Sequence, residues 1–78
     1  MRILFFAHLK DVTGRSEFHL PCRETDADGL WAMLNAEFPD LSPFRRSVRL
    51  AKNSEYVGPE ARFNDGDEVA LIPPVSGG

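Results

Sequence analysis

Seventy-eight residues with 12 acidic and 9 Lys+Arg side chains, a net charge of -3 and 42% hydrophobic content describe one small globular domain. Such a chain buries only about 60% of the surface its unfolded form exposes, so it has no room to enclose an active-site cavity. The acidic balance disfavours a dedicated nucleic-acid binder, and the single Cys22 excludes an internal disulfide or a metal site built on cysteine pairs.

Ile3 to Ala7 is a continuous apolar run of strand formers, read as a strand buried on both faces. Met1 to Leu9 lacks a small-residue cleavage site and leads into charged residues, so it is not read as a signal peptide. No apolar run approaches the roughly 20 residues of a membrane span. The expectation is a cytoplasmic, soluble protein with neither a membrane nor a nucleic-acid partner.

Lys10 to Arg15, with Gly14, reads as a turn. Ser16 to Leu20 alternates apolar and polar residues and completes an opening hairpin. Thr25 or Asp26 can cap a helix, with Asp28 in its first turn. Ala27, Leu30, Trp31, Leu34 and Phe38 form one helical stripe that Pro39 stops. A short helical turn is expected over Leu41 to Arg46.

Arg49 to Lys52 and Glu55 to Val57 flank Asn53-Ser54, the pattern of a tight hairpin. Asn64-Asp65-Gly66-Asp67 is a turn in which Gly66 suits a positive φ. Val69 to Ile72 is a second doubly apolar run, ended by Pro73-Pro74. First and last strands of this kind belong side by side at the centre of a sheet, often parallel. The expected fold is α+β: a ubiquitin-like β-grasp with a mixed sheet of about five strands and one main helix on one face. The domain spans 1–74, and a flexible diglycine tail spans 75–78.

One helix covers one face. Parity places Ile3, Phe5, Ala7, Val69 and Leu71 on the covered side. Leu4, Phe6, His8, Ala70 and Ile72 fall on the other. That second set forms an apolar patch of the kind that marks partner surfaces, unless the loop Pro59 to Asn64 covers it with Phe63.

The tail has its own chemistry. Pro73-Pro74 cannot donate ladder hydrogen bonds and extends the backbone, so Val75-Ser76-Gly77-Gly78 should project roughly 13 Å. Without side chains at Gly77 and Gly78, the terminal carboxylate can pass down a narrow channel to a nucleotide. There it can attack the α-phosphate of ATP, and a sulfur nucleophile can capture the resulting acyl-adenylate as a thiocarboxylate. The partner then supplies catalysis by positioning and electrostatics. A diglycine end alone reads as a frayed, inert terminus, but the preceding Pro73-Pro74 and apolar strand shift the balance towards the projecting tail.

Leu4-Phe5-Phe6-Ala7, Asp65-Gly66-Asp67-Glu68-Val69-Ala70 and Pro73-Pro74-Val75-Ser76-Gly77-Gly78 together resemble the small subunit of molybdopterin synthase, the MoaD-type sulfur carrier. Where the family often has Ala-Val-Asn, this chain has Ala51-Lys52-Asn53. The resemblance implies a carrier that is not catalytic alone and binds no cofactor or metal permanently. An E1-like adenylyltransferase would activate the Gly78 carboxylate using ATP and magnesium. A sulfur donor system would then supply a persulfide and leave a 1-thioglycine. The tail, Pro73 through Gly78, would enter the large synthase subunit and give sulfur to cyclic pyranopterin monophosphate, within a heterotetramer of two small and two large subunits. The docking surface would comprise Phe6, Ile72 and Tyr56. Alternatives are a carrier of another pathway, such as the thiamine type, a ubiquitin-like protein modifier, and a non-reactive β-grasp interaction module.

The other candidates have plainer readings. Cys22 lacks a neighbouring base in sequence and reads as incidental. His8 and His19 read as strand-surface residues, and Trp31 and Phe38 as core. Arg45, Arg46 and Arg49 read as a solvated basic cluster, with contact to an acidic partner second. Asp65, Asp67 and Glu68 lack the ligand number and spacing of a calcium loop.

Overall fold

In the computed structural model the described residues are 1–73. The expectations for Pro74, Val75, Ser76, Gly77 and Gly78 lie outside them. The elements run β1 (Arg2–Phe5), α1 (Leu9–Thr13), β2 (Glu17–His19), β3 (Glu24–Asp26), α2 (Ala27–Glu37), a 3-10 helix (Pro39–Phe44), β4 (Arg49–Lys52), β5 (Glu55–Tyr56), β6 (Arg62–Asn64) and β7 (Glu68–Ile72).

The two doubly apolar runs meet at the centre of a five-stranded sheet of order β2-β1-β7-β4-β5. β1 and β7 are parallel, with Ile3 beside Val69 and Phe5 beside Leu71. β2, β4 and β5 complete the sheet by antiparallel pairing. The main helix, α2, turns Leu30, Trp31 and Leu34 into the core. Its N-terminus is capped by Asp26, whose carboxylate accepts from the Gly29 N–H at 2.8 Å. Ile3, Phe5, Val69 and Leu71 are essentially inaccessible beneath it, together with Leu9, Leu41 and Phe63. This is the ubiquitin-like β-grasp, with the expected five-stranded mixed sheet.

Several local expectations are corrected. The first strand stops at Phe5 rather than Ala7, because Ala7 adopts φ 53° in the left-handed region and turns the chain off the sheet. Ala7 and His8 are therefore exposed outside any strand, and strand parity does not extend to them. The expected turn over Lys10 to Arg15 is largely the short helix α1, anchored by buried Leu9 and closed by Gly14 at φ 77°. A second, two-stranded sheet pairs β3 with β6, placing Thr25 opposite Phe63. Phe63 is thereby buried in the core on the helix side, so the loop 59–64 does not carry it onto the open face. Gly66 lies outside the left-handed region, and a Cβ there would meet nothing within 4 Å.

The β4–β5 hairpin has the expected tight turn, with Asn53 and Ser54 at φ 51° and 73°. Asn53 also pins that turn to the start of β7. Its backbone N–H donates to the Glu68 carbonyl at 2.8 Å, and its side-chain oxygen accepts from the Glu68 N–H at 3.0 Å. Its amide nitrogen donates to Asp67 at 3.0 Å, and the other Asp67 oxygen accepts from the Asn64 N–H at 2.7 Å. These donors favour the ionised carboxylate. The Asn64 N–H, then the Asn53 amide, hold Asp67 below its ordinary value of 3.8.

Asn53→Gly keeps the positive φ but removes the latch, and should cost about 1–3 kcal/mol in urea unfolding. Gly66→Ala should be neutral or stabilising by about 0.4–1 kcal/mol, because it restricts only the unfolded chain. Because the folded-state value of Asp67 is depressed, its contribution is present above the ordinary carboxylate range and lost as pH falls through the depressed value. The stability gap between wild type and Asp67→Asn should accordingly narrow between pH 7 and pH 3, as read by unfolding at each pH.

Candidate functional site

The face of the sheet opposite α2 carries the expected apolar set. Leu4 of β1, Ala70 and Ile72 of β7, Ala51 of β4 and Tyr56 of β5 share it through their registers: Leu4 beside Ala70, Ala70 beside Ala51, Ala51 beside Tyr56. With Phe6, Ser54 and Glu68 they line a shallow concavity of about 260 Å³. Phe6 is 43% exposed and Tyr56 58%, against 1% for neighbouring Phe5 on the other face. A larger hollow of about 370 Å³ lies where the N-terminal end of α2 meets β4, with Asp28 and Arg45 on its wall. Those two side chains form an ion pair with each other.

Phe6 owes its place to the turn that follows it. The left-handed Ala7 sends the chain into α1, while the Leu9 and Lys10 N–H groups donate back to the Phe6 and Ala7 carbonyls, each at 3.1 Å. The His8 ring packs against Phe44 at 5.3 Å, away from any strand surface. Since β1 and β7 are parallel, Phe6 and Pro73 emerge at the same end of the sheet. Pro73, grouped with the tail in the sequence reading, is buried directly after β7 and belongs to the folded body.

Charges on this face are arranged unequally. At the end away from Pro73, Arg2 donates to Glu17 at 2.9 and 3.2 Å and to Glu68 at 2.7 Å. The Glu17 hydrogen bond, followed by the charges of Glu17 and Glu68, raises the Arg2 pKa, so its charge is matched within the chain. At the other end Arg49 lies beside Ile72 in register, its guanidinium 4.5 Å from the centre of the Tyr56 ring. Of the basic cluster, Arg45 pairs with Asp28 in the hollow, which Arg49 also lines, while the Arg49 guanidinium reaches the Tyr56 ring of the open face.

Lys52, where the resemblance expected valine, donates to the Arg62 carbonyl at 2.8 Å and lies 6.0 Å from the Phe63 ring centre. Its stem covers the core edge while its charge stays solvated. Cys22 is half-buried against the core. Among the described residues, no three His, Cys, Asp or Glu side chains gather where they could hold a metal ion, and no helix is long and apolar enough to cross a membrane. Sequence reasoning passed over Ala51, Ser54 and the Arg2 ion pairs. Of these, only Ala51 had a signal, the two-residue spacing that sets it on one face with Arg49.

The model of the ThiS family matches residues 3–78. Among curated relatives, the chain is 37% identical over 81 residues to the "Molybdopterin synthase sulfur carrier subunit" of Dictyostelium discoideum, covering 99% of this chain and 94% of that one. It is 36% identical over 81 residues to the subunit of the same name from Chlamydomonas reinhardtii, covering 100% and 98%. Among solved structures, SAMP1, a small archaeal modifier protein, from Haloferax volcanii superposes with a TM-score of 0.83 at 26% identity, covering 100% and 98%. A chain in the complex of subunits 1 and 2 of molybdopterin-converting factor from Helicobacter pylori superposes with a TM-score of 0.71 at 26% identity, covering 99% and 96%. Full-length agreement in sequence and fold leads to one conclusion: the chain belongs to the ThiS family, and within it resembles the molybdopterin synthase sulfur carrier subunits.

Proposed function

We propose that this protein is the sulfur carrier of molybdenum cofactor biosynthesis, the small subunit of a molybdopterin synthase. The observation that carries the reading is the uncovered apolar face at the end of β7, in a chain similar from end to end to sulfur carrier subunits. Phe6, Ile72 and Tyr56 dock on the large subunit, the partner that the two-subunit neighbour suggests. Docking removes exposed aromatic surface from water at about 25 cal/mol per Å² before ordering costs. It also directs the segment after Pro73 into the partner.

The chemistry proceeds on the partners. An E1-like enzyme binds ATP and magnesium, and a Gly78 carboxylate oxygen attacks the α-phosphate, releasing pyrophosphate. The terminal sulfur of a donor persulfide then attacks the acyl carbon and AMP leaves with the bonding electron pair. A second donor thiol cleaves the S–S bond of the resulting acyl disulfide, leaving the thiocarboxylate on the carrier and a disulfide on the donor. In the large subunit this sulfur is transferred to cyclic pyranopterin monophosphate. Two carriers and two large subunits form the working assembly. Sulfur suits the task because it is a better nucleophile than carboxylate oxygen at neutral pH. The likeness to an archaeal modifier protein favours a second outcome for the same activated carboxylate, capture by a lysine amine.

Incubation with the adenylating enzyme, ATP and a sulfur donor should raise the intact mass by the difference between sulfur and oxygen. An unchanged mass refutes the carrier role, and lysine adducts on other proteins identify a modifier. Deleting Gly78 should abolish sulfur transfer and leave the thermal midpoint unchanged. Phe6→Asp should weaken large-subunit binding at least tenfold, because a charge enters an apolar contact, with less than about 1 kcal/mol lost from folding.

A further inference from the structure

We propose that Arg49 reads the partner's charge: the large-subunit surface that covers Phe6 and Ile72 presents a carboxylate to the Arg49 guanidinium, next to the entrance for the tail. The inference rests on the docking proposed above and adds the polar element of the contact.

Three observations converge on Arg49. It stands beside Ile72 in the β4–β7 register, one residue before Pro73, so a partner that dries Ile72 also dries Arg49. Its guanidinium lies over the Tyr56 ring at 4.5 Å, a contact that orients the charge and leaves its N–H edges available. Finally, Arg2 on the same face forms ion pairs within the chain, with Glu17 and Glu68. Arg49 makes none among the described residues.

The energetics favour an acidic group over an apolar cover. Stripping water from an unpaired guanidinium costs several kcal/mol unless an opposite charge replaces it. Arg2 on the same face needs no such replacement, because Glu17 and Glu68 already surround it. Among the described residues, Arg49 is therefore the positive charge of this face left unmatched. A carboxylate opposite it fixes the orientation of docking, which an apolar patch alone does not. Arg49 acts here as a positioning residue and takes no part in sulfur chemistry.

The test titrates purified large subunit with the full-length carrier and its variants at low and high salt. Arg49→Glu should weaken binding by about tenfold or more at low salt. Arg49→Met should lose most of the salt dependence, and Arg49→Lys should retain it. Thermal midpoints should stay within a few degrees of wild type, since Arg49 is exposed, its side chain makes no hydrogen bond among the described residues, and the contact it loses is with the exposed Tyr56 ring. If Arg49→Glu alters folding, Arg49→Met at matched stability decides the question. Unchanged affinity and salt dependence in the Arg49 variants, with Phe6→Asp still disrupting the complex, overturns the role of Arg49 alone. Normal binding by Phe6→Asp overturns the docking face and this inference with it.

Discussion

The structure depends on a mismatch of area: a sheet has two faces, and one main helix covers only one of them. β1 and β7 are apolar on both sides because they sit at the sheet's centre. α2 buries Ile3, Phe5, Val69 and Leu71, leaving Leu4, Ala70 and Ile72 half-covered opposite it. In a larger protein a second helical layer would close that face. Among the described residues nothing closes it, which suits the docking proposed above. The small size of the domain thus leaves one apolar face of its central strands open.

Placement of the tail follows from the same pairing. Parallel alignment of β1 and β7 requires a long connection, and the whole helical segment supplies it. It also brings the ends of both strands to one edge, so Phe6 and Pro73 follow their strands at the same end of the sheet. The Asn53 and Asp67 latch fixes the opposite end of β7 against the β4–β5 hairpin. A strand register slip would turn Ile72 towards the helix and Leu71 towards the partner. The latch and the two flanking ladders therefore protect the identity of the docking face as well as stability.

Long-range features with a strong hydrophobic signal were legible in the sequence. Two continuous apolar runs revealed the central strands, and parity assigned Phe6 and Ile72 to the open face. The stripe Leu30, Trp31, Leu34 revealed α2, and Asn53-Ser54 the hairpin turn. Short or tertiary features were not legible. The α1 segment spans five residues, too few for a helical period, and owes its form to Leu9 meeting the core. β3 and β6 are three residues each, Glu-Thr-Asp and Arg-Phe-Asn, without alternation to announce them. Ala7 adopts a conformation its residue type disfavours, so no local rule could end β1 at Phe5. The ion pairs of Arg2 join residues 15 and 66 positions away, a proximity only the fold creates.

The central position of β7 carries a mechanical consequence. Its ladders to β1 and β4 lie on either side, and the sequence beyond Pro73 continues from it. A pull applied along the axis of β7 from its C-terminal end loads both ladders in shear. The hydrogen bonds then share the force instead of opening one at a time, as they would on an edge strand peeled sideways. Whatever follows Pro73 is thus anchored to the strand with a ladder on each side.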